Sequence, residues 1–126
     1  LYLAFACLTL AFAIQALSAV FPLSPFLPLH AMTYGCIGLI TLGMMSRVTL
    51  GHTGRSVHAA PRHTATALIV LAAGTVVRVV LPPLLPQSYY VGCIVLAQLA
   101  WMGAFAIFLM AQGPMLWQPR ADGQVD

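Results

Sequence analysis

Residues 30–55, HAMTYGCIGLITLGMMSRVTLGHTGR, contain the features around which the rest of the chain is arranged. His30 stands at the start of an apolar run that is long enough for a membrane helix. The run ends in a polar turn, LGHTGR, which carries His52 and Arg55 together with two glycines. On either side, further apolar runs are separated by short proline-rich turns. This pattern predicts a bundle of membrane-spanning helices beside residues 30–55.

The composition of the whole chain also indicates a membrane environment. Hydrophobic residues make up 61% of the 126 residues and charged residues only 6%, whereas soluble domains carry about 25% charged residues. Such a chain cannot cover a surface that faces water, so the lipid bilayer is expected to surround it. The net charge of +3 is too small for a nucleic-acid surface, and no nucleic-acid partner is expected. The polar end of the sequence predicts that the chain is the C-terminal part of a longer protein. Besides the lipid bilayer, the N-terminal spans of that protein would be its partner.

The apolar runs predict an all-α fold, a polytopic transmembrane helical bundle forming one domain over residues 1–126. A spanning helix needs about 20 mostly apolar residues. Prolines remove backbone donors and stop helices, so PLSPFLP and LPPLLPQS are expected to be tight turns. Ala31 and Gly35 are four residues apart, a spacing that allows another helix to approach closely. Four spans are predicted in this fragment, at about 1–21, 29–48, 65–81 and 89–111.

The distribution of arginines predicts the orientation of these spans. Arg55 and Arg62 lie in the loop 49–64 and Arg47 just before it, while both proline turns contain no basic residue. Loops rich in arginine are retained in the cytoplasm. The loop 49–64 and the tail 112–126 are therefore expected on the cytoplasmic side.

Two ionisable residues, His30 and Arg78, are predicted within the spans, near the outer face. Such residues are costly in a bilayer, and this makes them candidates for function. A neutral imidazole can bind a metal, and a guanidinium can bind a carboxylate through parallel hydrogen bonds. No acidic residue lies in any span, so Arg78 would pair with another segment, a lipid phosphate or a cofactor carboxylate. Haem offers both iron and propionates. Alternatively, His30 is an interface histidine, and Arg78 extends outward to the headgroups.

His52 is predicted at the opposite end of the span from His30. The two histidines are 22 positions apart, which is about 33 Å along a continuous helix, so they cannot bind one metal ion. Gly51 and Gly54 flank His52 and allow it to be directed back at the bundle, and Arg55 supplies a fixed cation. The alternative is an ordinary turn histidine without a metal.

Other chemistry finds little support in the sequence. The motifs of hydrolases and phosphate-binding loops are absent, and both aspartates lie in the tail, so no catalytic residue is assigned. Cys7, Cys36 and Cys93 stand singly in apolar runs and are expected to be small buried residues.

The segment HAMTYGCIGLITLGMMSRVTLGHTGR resembles the signature segment of the NnrS family. In that family a histidine opens a helix that continues through methionine and arginine into LGHTGR. The resemblance implies a polytopic protein of the bacterial inner membrane that contains haem and copper and is associated with nitric oxide, in denitrification and in resistance to nitrosative stress. His30, His52 and Arg55 match the pattern, and the two histidines become the leading candidates for metal ligands.

The combined interpretation is a haem- and copper-containing membrane protein that handles nitric oxide or iron-nitrosyl species. In it, His30 binds haem iron and Arg78 a haem carboxylate, while His52 with Arg55 forms a second site. One alternative is a transporter or assembly subunit without a cofactor. Another is a b-type cytochrome subunit for electron transfer, which requires a second span histidine at the depth of His30.

Overall fold

The structure, a computed structural model, describes residues 1–58 and 61–123. Four helices occupy most of this part of the chain: α1 (Tyr2–Leu17), α2 (Phe26–His52), α3 (Arg62–Leu84) and α4 (Gln87–Leu116). No strand is present among the described residues. The prediction of an all-α membrane fold is therefore confirmed.

Only three of the helices, α2, α3 and α4, are long and apolar enough to cross a membrane. Helix α1 has 16 residues, a length of about 24 Å, against a hydrocarbon core of about 30 Å. The prediction of four spans is thus one too high. The apolar residues 19–21 continue the hydropathy of α1, but the helix has already ended, and the Ser18 hydroxyl donates to the carbonyl oxygen of Gln15 at 2.6 Å.

The prolines interrupt the helices less than the sequence predicts. Helix α2 begins at Phe26 and includes Pro28, and α3 continues through Pro82 and Pro83 to Leu84. Pro28 lies in the first turn of α2, where its missing N–H has no intrahelical partner in any case. Pro82 and Pro83 come shortly after a π-helical stretch of α3, Val76–Val80, and the helix completes one further turn after it.

Two helices contain π-helical segments, at Ala31–Ile37 in α2 and Val76–Val80 in α3. These segments contact each other across the bundle. π-Helical turns are rare and occur frequently at functional sites. The first follows His30 directly and the second contains Arg78, so both in-span ionisable residues lie where the helices depart from regular geometry.

The interior is formed by small, aliphatic and aromatic residues from all four helices, with the most extensive packing between α3 and α4. Ala31 is fully buried, and a Cβ added at Gly35 would lie 2.9 Å from Thr75 Cγ2. The predicted close approach at these two positions is confirmed. The three cysteines are free and buried, as expected. Many large apolar side chains, among them Phe12, Ile69, Leu99 and Met110, remain exposed on the outside, where lipid is the natural solvent.

Tyr34 links three helices at the centre of the bundle. Its hydroxyl donates to the backbone carbonyl oxygen of Ala97 in α4 and lies against Gly74 in α3. The Tyr34 ring also meets Trp101 edge-to-face, with ring centroids 4.9 Å apart. The absence of a side chain at Gly74 is what lets the tyrosine reach across.

The C-terminal tail folds back onto the loop between α2 and α3. The Arg55 guanidinium donates to the Gln118 side-chain oxygen at 3.1 Å, and the Ala121 N–H donates to the Thr53 carbonyl oxygen at 3.0 Å. The predicted loop 49–64 and tail 112–126 therefore share one end of the bundle, although the helices extend into both segments. Of these predicted segments, residues 59, 60 and 124–126 lie outside the described residues, and the cytoplasmic location stays a prediction.

Candidate functional site

His30 and Arg78 are brought into direct contact. Arg78 Nη2 lies 2.9 Å from His30 Nε2, although the residues are 48 positions apart in the chain. His30 is the last residue before the π-helical segment of α2, and Arg78 lies in the π-helical segment of α3. The bond therefore joins two spans at the point where their π segments meet.

The chemistry of the two groups fixes the protonation state of the imidazole. A guanidinium has only donors, so Arg78 donates and His30 Nε2 accepts through its lone pair. His30 is therefore neutral in this arrangement and carries its proton on Nδ1. The Phe26 ring lies beside the imidazole, with centroids 6.4 Å apart and planes 25° from parallel.

The His30–Arg78 pair separates two pockets. The larger, with a volume of about 560 Å³, lies between residues 22–30, the end of α3 and the start of α4, and falls within the range of about 300–1,000 Å³ typical of small-molecule sites. The smaller, of about 240 Å³, lies on the other side of the pair. Besides the pair, the larger pocket is lined by Ser24, Phe26, Leu27, Pro82, Gln87 and Tyr90, among others, and the smaller by Thr33, Tyr34, Gln98 and Trp101.

The charge of Arg78 is not neutralised by the described part of the chain. Helices α1–α4 contain no aspartate or glutamate, and Asp122, in the tail, forms an ion pair with Arg120. His30 occupies one nitrogen of the guanidinium and brings no negative charge. The pocket therefore presents a cation with donors available for an anionic oxygen ligand beside a neutral imidazole.

His52 lies at the other end of α2, far from His30 along the same continuous helix. Its side chain is exposed, and it makes no hydrogen bond to the described residues. Thr53 ends the helix, with its hydroxyl donating to the Thr49 carbonyl oxygen at 2.7 Å. Arg55 is turned toward Gln118 in the tail, so the structure does not bring His52 and Arg55 together. Within the described ranges, no three His, Cys, Asp or Glu side chains are grouped as a metal site.

Several residues of the pockets were not identified from the sequence. Gln87, Tyr90 and Gln98 line the pockets beside Arg78, yet they belong to a third helix, α4. A glutamine inside an apolar span is a usable signal, and Gln98 carries it. Nothing in the sequence indicated that His30 and Arg78 share a hydrogen bond, beyond their similar predicted depth.

Comparison with known proteins agrees with the resemblance of residues 30–55. No curated protein and no solved structure matches the chain. A family model described as NnrS protein matches residues 1–120. This match covers nearly the whole sequence and all four helices, well beyond the segment that carries the resemblance. The chain therefore belongs to the NnrS family.

Proposed function

We propose that this chain is part of a haem- and copper-containing protein of the bacterial inner membrane that acts in nitric oxide metabolism or in resistance to nitrosative stress. The observation that carries the proposal is the His30–Arg78 hydrogen bond beside a pocket of about 560 Å³. Membership in the NnrS family supports the link to nitric oxide.

The residues around the pocket fit the edge of a haem. His30 is neutral, and a neutral imidazole would suit haem iron as a ligand. Arg78 has no anionic partner among the described residues, and a propionate would supply one. Leu27 and Pro82 contribute apolar walls to the pocket. When bound, haem iron would supply a binding site for nitric oxide.

The hydrogen bond couples the roles of the two residues. His30 can offer Nε2 to a metal only if Arg78 releases that nitrogen, because one lone pair cannot serve both. Arg78 then regains a donor within reach of the same pocket. In this proposal His30 binds the iron, and Arg78 holds a carboxylate and keeps the vacant imidazole neutral.

A copper site is supported more weakly by this chain. His52 is the candidate ligand, and the exposed Met44 and Met45 are the only soft thioethers near it in sequence. The described residues do not complete a ligand set. The remaining ligands would come from other spans, and Arg55 would contribute charge rather than a metal bond.

The test is a reduced-minus-oxidised visible spectrum with metal analysis of the purified full-length protein. We expect His30→Ala to abolish the haem bands and Arg78→Leu to lower haem content about tenfold, the loss of one charge-assisted pair. His52→Ala should retain haem and lose copper. Arg62→Leu, which removes an exposed arginine at the first position of α3 and outside both pockets, is the matched control and should leave both metals unchanged.

Other outcomes would identify the alternative classes. A colourless, metal-free wild type would replace this proposal with a cofactor-free transporter or assembly subunit. A bis-histidine spectrum that survives His30→Ala would indicate a b-type cytochrome whose haem is bound outside this chain. Normal haem content and spectrum in a folded Arg78→Leu variant would remove the propionate role.

A further inference from the structure

A separate pocket of about 460 Å³ lies at the arginine-rich end of the bundle, between the start of α1, the last turns of α2 and the first turn of α3. Its lining includes Phe5, Ser46, Arg47, Thr64 and Leu68. Ser46 follows His30 by 16 positions in α2, which is about 24 Å along the helix. This pocket is thus remote from the His30–Arg78 pair.

The floor of the pocket contains two buried hydroxyls. Ser46 is only 2% exposed, and its Oγ has no hydrogen-bond partner among the described residues. Thr64 is 6% exposed, and its Oγ1 accepts a hydrogen bond of 2.7 Å from the Gln112 amide. A hydroxyl that accepts one hydrogen bond can also donate one. An unpaired buried hydroxyl is unfavourable by about 1–3 kcal/mol, so the floor favours a ligand that brings acceptor oxygens.

The rim of the pocket adds positive charge to these donors. Arg47 lines the pocket and is itself exposed, and no carboxylate contributes to the lining. A guanidinium with two hydroxyl donors selects an oxyanion, most simply a phosphate. A neutral or cationic ligand would leave the arginine unpaired.

The walls and the depth of the pocket determine what kind of phosphate fits. Phe5, Leu50 and Leu68 provide apolar walls that suit a hydrocarbon chain. Arg47 precedes the end of α2 at His52 by about 7.5 Å along the helix, and Thr64 lies in the first turn of α3. Both therefore sit at the level where lipid headgroups begin. Basic pockets between spans at this level bind anionic lipid headgroups.

We propose that this pocket is a binding site for an anionic phospholipid. Arg47, Ser46 and Thr64 donate to the phosphate, and an acyl chain lies along the wall formed by Phe5 and Leu68. The site is remote from the His30–Arg78 pair, so lipid binding can fail or hold without affecting the haem site proposed above.

The experiment is a titration of the full-length protein, in neutral detergent, with phosphatidylglycerol, followed by native mass spectrometry. We expect saturable binding that phosphatidylcholine does not reproduce. Arg47→Gln should weaken this binding about tenfold, as for one charge-assisted hydrogen bond, and Ser46→Ala about threefold, as for a neutral one. The controls Arg62→Gln and Ser56→Ala change the same residue types in exposed positions outside the lining and should bind like the wild type.

The remaining outcomes each overturn the proposal. Equal losses in Arg47→Gln and Arg62→Gln would show attraction by bulk charge rather than a site. Competition by inorganic phosphate at the same concentration as lipid would show that the acyl chain contributes nothing. Unchanged binding in Arg47→Gln and Ser46→Ala, with wild-type thermal unfolding midpoints, would place the lipid elsewhere.

Discussion

Replacing Gly74 by alanine tests the arrangement at the centre of the bundle. A Cβ at this position would overlap the Tyr34 hydroxyl and lie 2.9 Å from Ala100 Cβ. The tyrosine would have to withdraw and lose its hydrogen bond to the Ala97 carbonyl oxygen. Gly103 is the matched control, since a Cβ there meets no described atom within 4 Å.

The magnitude follows from three contributions. Overpacking by one methyl group costs about 1–3 kcal/mol, and the lost hydrogen bond about 1 kcal/mol. Replacing a helical glycine by alanine raises the free energy of unfolding by about 1 kcal/mol. Gly74→Ala should therefore lower the free energy of unfolding by about 1–3 kcal/mol, whereas Gly103→Ala should leave it unchanged or raise it by up to about 1 kcal/mol.

The assay is unfolding of the full-length protein in mixed micelles with increasing denaturing detergent, followed by tryptophan fluorescence. A double-mutant cycle with Tyr34→Phe isolates the clash, because the phenylalanine lacks the oxygen that an alanine at position 74 would meet. Gly74→Ala should be less destabilising in that background than in the wild type. Equal unfolding free energies for Gly74→Ala and Gly103→Ala would refute the close approach of Tyr34 to Gly74.

Two further predictions concern the arginine-rich end. Gly54 has φ = +69°, and a Cβ added there would lie 2.6 Å from the Asp122 carboxyl carbon. Gly54→Ala should therefore lower the free energy of unfolding by about 1–2 kcal/mol and speed hydrogen exchange in the tail. Gly51→Ala should do neither, because a Cβ there meets nothing within 4 Å. Gln112 is fully buried and donates to Thr64 at 2.7 Å; a double-mutant cycle of Gln112→Leu with Thr64→Val should give a coupling energy of about 0.6–1.7 kcal/mol, and a value near zero would contradict the bond.

Sequence reasoning succeeded where one residue type or a local pattern suffices. Apolar length identified the three long helices, although their ends at Phe26, Leu84 and Leu116 lie beyond the predicted ones. The errors arose where neighbouring turns matter. Hydropathy extended α1 past Leu17, and the helix-breaking tendency of proline was overestimated at Pro82, because a π-helical turn precedes it and the helix continues.

The sequence by itself determined that lipid surrounds this protein, that it is helical and which family it belongs to. It also identified the ionisable groups within the spans. These follow from composition and local pattern, because lipid accepts only internally hydrogen-bonded backbone and few charges. Only the tertiary structure decided that Arg78 donates to His30, while Arg55 turns away from His52 to Gln118. Such partners are set by the packing of distant segments and by the rotation of each helix, and a π-helical turn shifts that rotation in a way that spacing along the chain does not record.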